Sequence, residues 1–184
     1  LKKGGNAIDA AIAASAVQSV VEPNSTGIGG DCFALISMKD KKPISVNGSG
    51  INPLKNDMDF FERQKIKNMD TLSPHSVTIP GAVHAWYTMH QRFGSLDFEE
   101  LFLSSENYAR NGFPVYEVVA KSWKENNNKL KNHHATNQTF LKNNKSYCYG
   151  EIHKNINLAN TLQAISKKGI SDFYNGYIAE DAVN

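Results

Sequence analysis

Gly27, Gly29 and Gly30 stand within four positions and are followed by Asp31. Such a cluster could do chemistry by letting a backbone approach a phosphate closely. A phosphate cradle needs its glycines between a strand and the start of a helix, where free N–H groups and the helix dipole face the anion. Here an apolar helical stretch comes before the glycines and an apolar strand after them, so the cluster reads as a tight helix-to-strand turn. A second glycine pair, Gly48 and Gly50, flanks Ser49 in the segment Asn47-Gly48-Ser49-Gly50. Asn47 and Ser49 are neutral hydrogen-bond donors in a loop with two residues free to adopt positive φ.

Other chemistries find no constellation. His84 and His90 are six apart and lie on different faces of a helix. The adjacent His133 and His134 diverge in a polar segment, and His75 and His153 have no Cys, Asp or second His at ligand spacing. The histidines therefore read as exposed or singly hydrogen-bonded, with no metal site. Cys32 and Cys148 form no CxxC pair, and Cys32 sits in an apolar strand, which favours an inert thiol. There is no GxSxG elbow.

The elements that must position these residues are legible in outline. Asn6 is placed to cap a helix from Ala7, with Asp9 three residues on to close a capping box. From Ala7 to Val21 nearly every position is small or apolar, which predicts a helix buried between layers, and Pro23 stops it. Cys32–Ile36 is a short apolar run that predicts a strand buried on both faces, paired as a hairpin with Ile44–Val46. Residues 54–73 are charged and irregular, with helical character from Asp57 to Ile66. A helix is predicted from Pro80 to about Arg92, another from Asp97 to Arg110 stopped by Asn111-Gly112, and a third from Leu158 to Lys168 stopped by Gly169. Residues 172–176 read as a turn before a last helix. The segment 121–145 carries six lysines and seven asparagines and reads as a solvated loop or frayed helix pair.

The 184 residues suffice for a sizeable core, and a net charge of +2 gives no reason to expect a nucleic-acid partner. A mean hydropathy of -0.45 and the polar breaks at Ser15, Gln18 and Ser19 argue against a membrane span. The compartment stays open between cytoplasm and a periplasmic or secreted location. The start at Leu1-Lys2-Lys3 reads as a piece of something longer.

Five blocks in order resemble the large subunit of the γ-glutamyltranspeptidase family. Gly4-Gly5-Asn6-Ala7-Ile8-Asp9-Ala10-Ala11 is similar to its G-G-N-A-x-D-A-A helix start. Val21-Glu22-Pro23 with Gly27-Ile28-Gly29-Gly30 resembles the helix exit and glycine turn. Val77-Thr78-Ile79-Pro80-Gly81-Ala82-Val83, with Trp86 and Phe93-Gly94, resembles V-x-V-P-G-A-V and its close. Ala109-Arg110-Asn111-Gly112-Phe113-Pro114-Val115 resembles A-x-x-G-F-P-V. Phe173-Tyr174-Asn175-Gly176-Tyr177-Ile178-Ala179 resembles F-Y-x-G-x-I-A. Residues 121–150 match least.

The resemblance implies a four-layer αββα sandwich of the N-terminal-nucleophile hydrolases, with residues 1–184 an incomplete large-subunit portion of a single domain. It implies a precursor that cuts itself, so that the new N-terminal Thr of a small subunit becomes the nucleophile and its α-amine the base. It implies γ-glutamyl or related acyl amides, such as glutathione, as substrates, the small subunit of the same precursor as partner, and no metal or organic cofactor. No catalytic residue is expected in this chain, because the Thr-x-His-Ser-like nucleophile motif is absent from it. The family's transpeptidases place an Arg before the proline equivalent to Pro53, where it grips the glutamyl α-carboxylate. Here the loop is Val46-Asn47-Gly48-Ser49-Gly50-Ile51-Asn52-Pro53, and the resemblance makes its neutral donors Asn47 and Ser49 the candidate substrate-binding residues. Its Gly-Ser-Gly spelling is similar to an acylase-like branch that keeps an Arg about two places on, where Ile51 stands. This departure implies a broader or altered acyl substrate, and it leaves a catalytically inactive homologue, acting as a binding or structural protein, as the alternative.

Overall fold

The computed structural model describes residues 1–70 and 72–183. They form two compact units, Leu1–Gly27 together with the chain from Arg92 onward, and Ile28–Gln91.

Helix α1 (Ala7–Val21) opens the first unit. Its capping box is complete: Asn6 Oδ1 accepts from the N–H of Ile8 and Asp9, and the Asp9 carboxylate accepts from the N–H of Asn6 at 2.8 Å. Asp9 is fully buried because it also accepts from the N–H of Ser95 at 3.1 Å. One carboxylate thus ties the helix start to a segment 86 residues away. Contrary to expectation, α1 is not covered all round. Ile12, Ala16, Ser19 and Val20 are buried, while Ala7, Ala11, Ala14 and Gln18 form an exposed stripe. That stripe follows the helical repeat, so apolar composition alone concealed a two-faced helix.

The second unit begins with an antiparallel hairpin of β1 (Cys32–Ile36) and β2 (Ile44–Gly48), registered Phe33 to Asn47 and Ile36 to Ile44. The expectation of a strand buried on both faces fails here. Phe33 is 69% and Leu35 77% exposed, whereas the alternate residues Cys32, Ala34 and Ile36 are covered. Side chains alternate across a strand, so within this unit only one face of β1 is packed. Helix α2 (Met58–Arg63) follows, capped by Asp57, within the irregular segment. Helix α3 (Ala82–Phe93) buries Ala82, Val83, Ala85, Trp86 and Met89.

The first unit resumes with a 3-10 turn, Phe98–Leu101, and α4 (Leu103–Asn111), both packed on α1. Gly112 ends α4 with φ +97, a conformation glycine adopts freely. Strand β3 (Phe113–Pro114) leads into α5 (Glu117–Glu125), α6 (Asn127–Lys131) and α7 (His134–Phe140). A small hairpin of β4 (Leu141–Lys142) and β5 (Lys145–Ser146) turns through Asn143 and Asn144, both at positive φ. The lysine- and asparagine-rich segment is therefore three short helices and a hairpin. Trp123 and Leu141 are buried beneath its polar surface, 3% and 5% exposed, and organise it. Strand β6 (Ile152–His153) pairs antiparallel with β3. Helix α8 (Ile156–Lys168) packs on α4 and is stopped by Gly169 at φ +68. The predicted turn at 172–176 is instead a short helix, α9 (Ser171–Asn175), anchored by buried Phe173, and α10 (Tyr177–Val183) follows. Among the described residues no helix is long and apolar enough to cross a membrane.

Candidate functional site

The loop that follows β2 is held from three sides, all within the second unit. Asp31 Oδ1 accepts from the N–H of Gly50 at 2.8 Å, which pins the loop to the residue preceding β1. Asn47 Oδ1 accepts from the N–H of Ser49 at 3.0 Å, a local turn that sets the loop's shape. The N–H of Ile79 donates to the carbonyl of Ile51 at 2.9 Å.

Three glycines make this packing possible. A Cβ on Gly81 would lie 2.2 Å from the Gly48 carbonyl oxygen and 2.8 Å from the Gly50 nitrogen. One on Gly50 would lie 2.1 Å from the Ile79 carbonyl oxygen, and one on Gly48 would strike Ala85 at 2.5 Å. Neither Gly48 nor Gly50 uses positive φ, so the expected conformational role gives way to close backbone approach. The carbonyl of Gly30 accepts from the N–H of Gly81 and of Ala82, at 3.0 and 2.9 Å, and so caps the start of α3. Gly29 has open space where a Cβ would stand, so its part in the glycine turn is not close packing.

Asn47 and Ser49 are both exposed. With the Asn47 carbonyl committed to the loop, its amide nitrogen and the Ser49 hydroxyl are the donors offered outward. Asn47 stands opposite Phe33 in the hairpin register, on the face that also carries exposed Leu35. Ile51, at the position where the resemblance implies an Arg, is 67% exposed. The arrangement therefore presents neutral donors beside apolar side chains. No arginine lies between residues 28 and 62 of this chain to supply a fixed positive charge.

Two neighbours of the candidate loop are not legible from residue types. Asp31 reads as the end of a glycine cluster, and its partner Gly50 is 19 residues away. Phe33 reads as core in an apolar run, although an Ile36–Ile44 pairing sets it opposite Asn47. Cys32 behaves as expected of an inert thiol. Burial pushes it up from its ordinary value, and a hydrogen bond with Trp86 only partly offsets that. Among the described residues no group of three or more His, Cys, Asp and Glu could hold a metal ion. His153 contradicts the reading of exposed or singly bonded histidines, being 1% exposed with no hydrogen-bond partner on Nδ1.

The family model for Gamma-glutamyltranspeptidase matches residues 1–184. The chain is 34% identical over 188 residues to the glutathione hydrolase-like YwrD proenzyme of Bacillus subtilis (strain 168), covering all of this chain and 35% of that protein. Its fold matches cephalosporin acylase from Bacillus halodurans with a TM-score of 0.92 at 32% identity, over 98% of this chain and 35% of that one. It matches γ-glutamyltranspeptidase from Helicobacter pylori with a TM-score of 0.91 at 27% identity, over 97% of this chain and 52% of that one. The chain thus spans about a third of the length of the curated relatives it matches. The mixed, mostly helical architecture is that of the N-terminal-nucleophile hydrolases.

Proposed function

Because the chain belongs to the γ-glutamyltranspeptidase family, we propose that it is the large-subunit part of an amidase and acyltransferase acting on γ-glutamyl or related acyl amides. The observation that carries this reading is the glycine-locked loop, which presents Asn47 and Ser49 beside Phe33 and Ile51. In this role residues 47–51 bind and orient the acyl group. The nucleophile comes from the remainder of the protein, as a Thr freed by self-cleavage. Its hydroxyl oxygen attacks the amide carbon while its own α-amine takes the proton. The amine leaves with a proton, and water or a second amine then accepts the acyl group from the Thr oxygen.

Neutral donors in place of a guanidinium shape the preference. A guanidinium makes two parallel charge-assisted bonds to a carboxylate, whereas an amide or hydroxyl makes single, weaker ones. The loop therefore suits an acyl group whose far end is uncharged at least as well as a γ-glutamyl group. The face bearing Phe33 and Leu35 supports the expected partner, the small subunit of the same precursor, because so much exposed apolar surface calls for cover.

The test is the intact mass of the full-length protein followed over hours after purification. Conversion into two chains, the smaller beginning with Thr, followed by release of p-nitroaniline from γ-glutamyl and hexanoyl p-nitroanilides, is the expected result. The presence of Ile51 favours one alternative, an inactive homologue that uses the same fold for binding. A single uncut chain that persists and releases no p-nitroaniline would establish it.

A further inference from the structure

We propose that His153 is an acid-sensitive latch on the segment 113–153, and that protonation of its buried ring opens that segment. His153 lies on β6 and is 1% exposed. Four aromatic rings from different parts of the segment converge on it. Ring centroids stand at 5.0 Å for Trp123 of α5, 4.9 Å for Tyr147, 5.7 Å for Phe113 of β3 and 6.0 Å for Phe140 of α7. Nδ1 has no hydrogen-bond partner. The ring is the hub on which the short elements of this segment pack.

Among the described residues burial alone acts on the ring, and no carboxylate is paired with it. On α5 the charged groups Glu117, Lys121, Lys124 and Glu125 are exposed, as are His134 of α7 and Lys142 and Lys145 of the hairpin. Lys154, beside the ring in sequence, is exposed and of like sign. Glu151 is half-exposed and already engaged, accepting from the N–H of Cys148 at 2.7 Å and pairing with Lys142 at 3.5 Å. The hydrogen bond from Cys148 first, and Lys142 after it, hold that carboxyl below its usual range, which commits it further to its own turn.

Burial alone pushes the imidazole of His153 down to about 4, from an ordinary value of 6.5 that it regains once the segment opens. The closed form excludes the proton, so its advantage is complete above pH 6.5 and drains away as pH falls from 6.5 toward 4. The open-to-closed ratio should therefore rise by about two orders of magnitude between pH 7 and pH 4. Val115, Val119 and Leu141 are buried with the rings, but few backbone bonds cross the segment. Strands β3 and β6 pair over two residues each, extended by the N–H of Val115 to the carbonyl of Glu151 at 2.9 Å and of Gly150 to that of Val115 at 2.8 Å.

The experiment is peptide-resolved hydrogen exchange on the full-length protein between pH 7 and pH 4, corrected for the intrinsic pH dependence of exchange. The expected result is a rise in opening of peptides from 113–153 approaching a hundredfold, with α1 peptides unchanged. The rise should be absent in H153F, which fills the same aromatic site without a proton acceptor. An equal rise in H153F would overturn the proposal, as would a wild-type segment that stays closed at pH 4. Should H153F fail to fold, the NMR titration of the His153 imidazole in the wild type decides. Titration near its ordinary value with the segment closed overturns the latch, and depressed titration coincident with opening supports it.

Discussion

At the residue scale, Asp9 and Ser49 separate holding the fold from holding a ligand. Asp9 is buried and satisfies the N–H groups of Asn6 and Ser95, so D9A leaves two backbone donors without their acceptor. The expected cost is about 2–4 kcal/mol in urea unfolding of the full-length protein, with D9N losing roughly half as much. Ser49 is exposed and its hydroxyl serves no fold contact, so S49A should leave unfolding unchanged. If the hydroxyl holds substrate, S49A raises KM for an acyl amide about 2- to 10-fold at constant kcat, the value of one neutral hydrogen bond. Unchanged KM removes Ser49 from the site. I51R asks the converse question about charge. A guanidinium there should lower KM for γ-glutamyl p-nitroanilide by about 10-fold or more while leaving the hexanoyl substrate unimproved. Equal effects on both donors would show that residue 51 does not meet the far end of the acyl group.

At the element scale, the glycines around the loop are predicted to differ sharply. The missing Cβ of Gly81 makes room for the backbone of Gly48 and Gly50, which cannot swing aside like a side-chain tip. G81A should therefore force the start of α3 away from the end of β2 and cost about 2 kcal/mol or more. Gly29 meets nothing within 4 Å, so in thermal melts that show the G81A loss G29A should stay within about 0.5 kcal/mol of wild type. These roles could not be read from residue types, since both glycines look alike in the chain. What was legible came from local rules. Asn6 and Asp9 announce the start of α1, Gly112 and Gly169 the ends of α4 and α8, and the apolar runs at 32–36 and 44–46 their hairpin. What was not legible depends on partners far along the chain. Trp123 lies in a run of lysines and asparagines, and its packing against Phe140, Tyr147 and His153 gives the segment a core that residue types do not announce. The Asn47 side of the candidate site is legible as a loop of donors, but its anchor Asp31 needs the fold to bring it near.

At the scale of the whole molecule, the hairpin of β1 and β2 carries the argument about what this chain needs. A two-stranded sheet leaves backbone donors and acceptors unpaired along its outer edges, and in this unit Phe33 and Leu35 stand largely exposed on one face. Either feature alone invites association, and together they make a template for another strand or sheet. The chain spans about a third of the length of its curated relatives, and on the proposed reading the small subunit of the same precursor supplies the cover. Residues 1–184 expressed alone should therefore self-associate as concentration rises and bind a hydrophobic dye, as read by analytical ultracentrifugation and fluorescence. The double variant F33S/L35S should reduce both without lowering helix content, because neither side chain packs within its own unit. Co-expression with the remainder of the protein should suppress both signals in the unaltered chain and yield a stable complex. In that complex F33S/L35S should become harmful, since a face that is a liability alone is then an interface. A monomeric, dye-silent 1–184 would break this argument, because the exposed face would then need no partner.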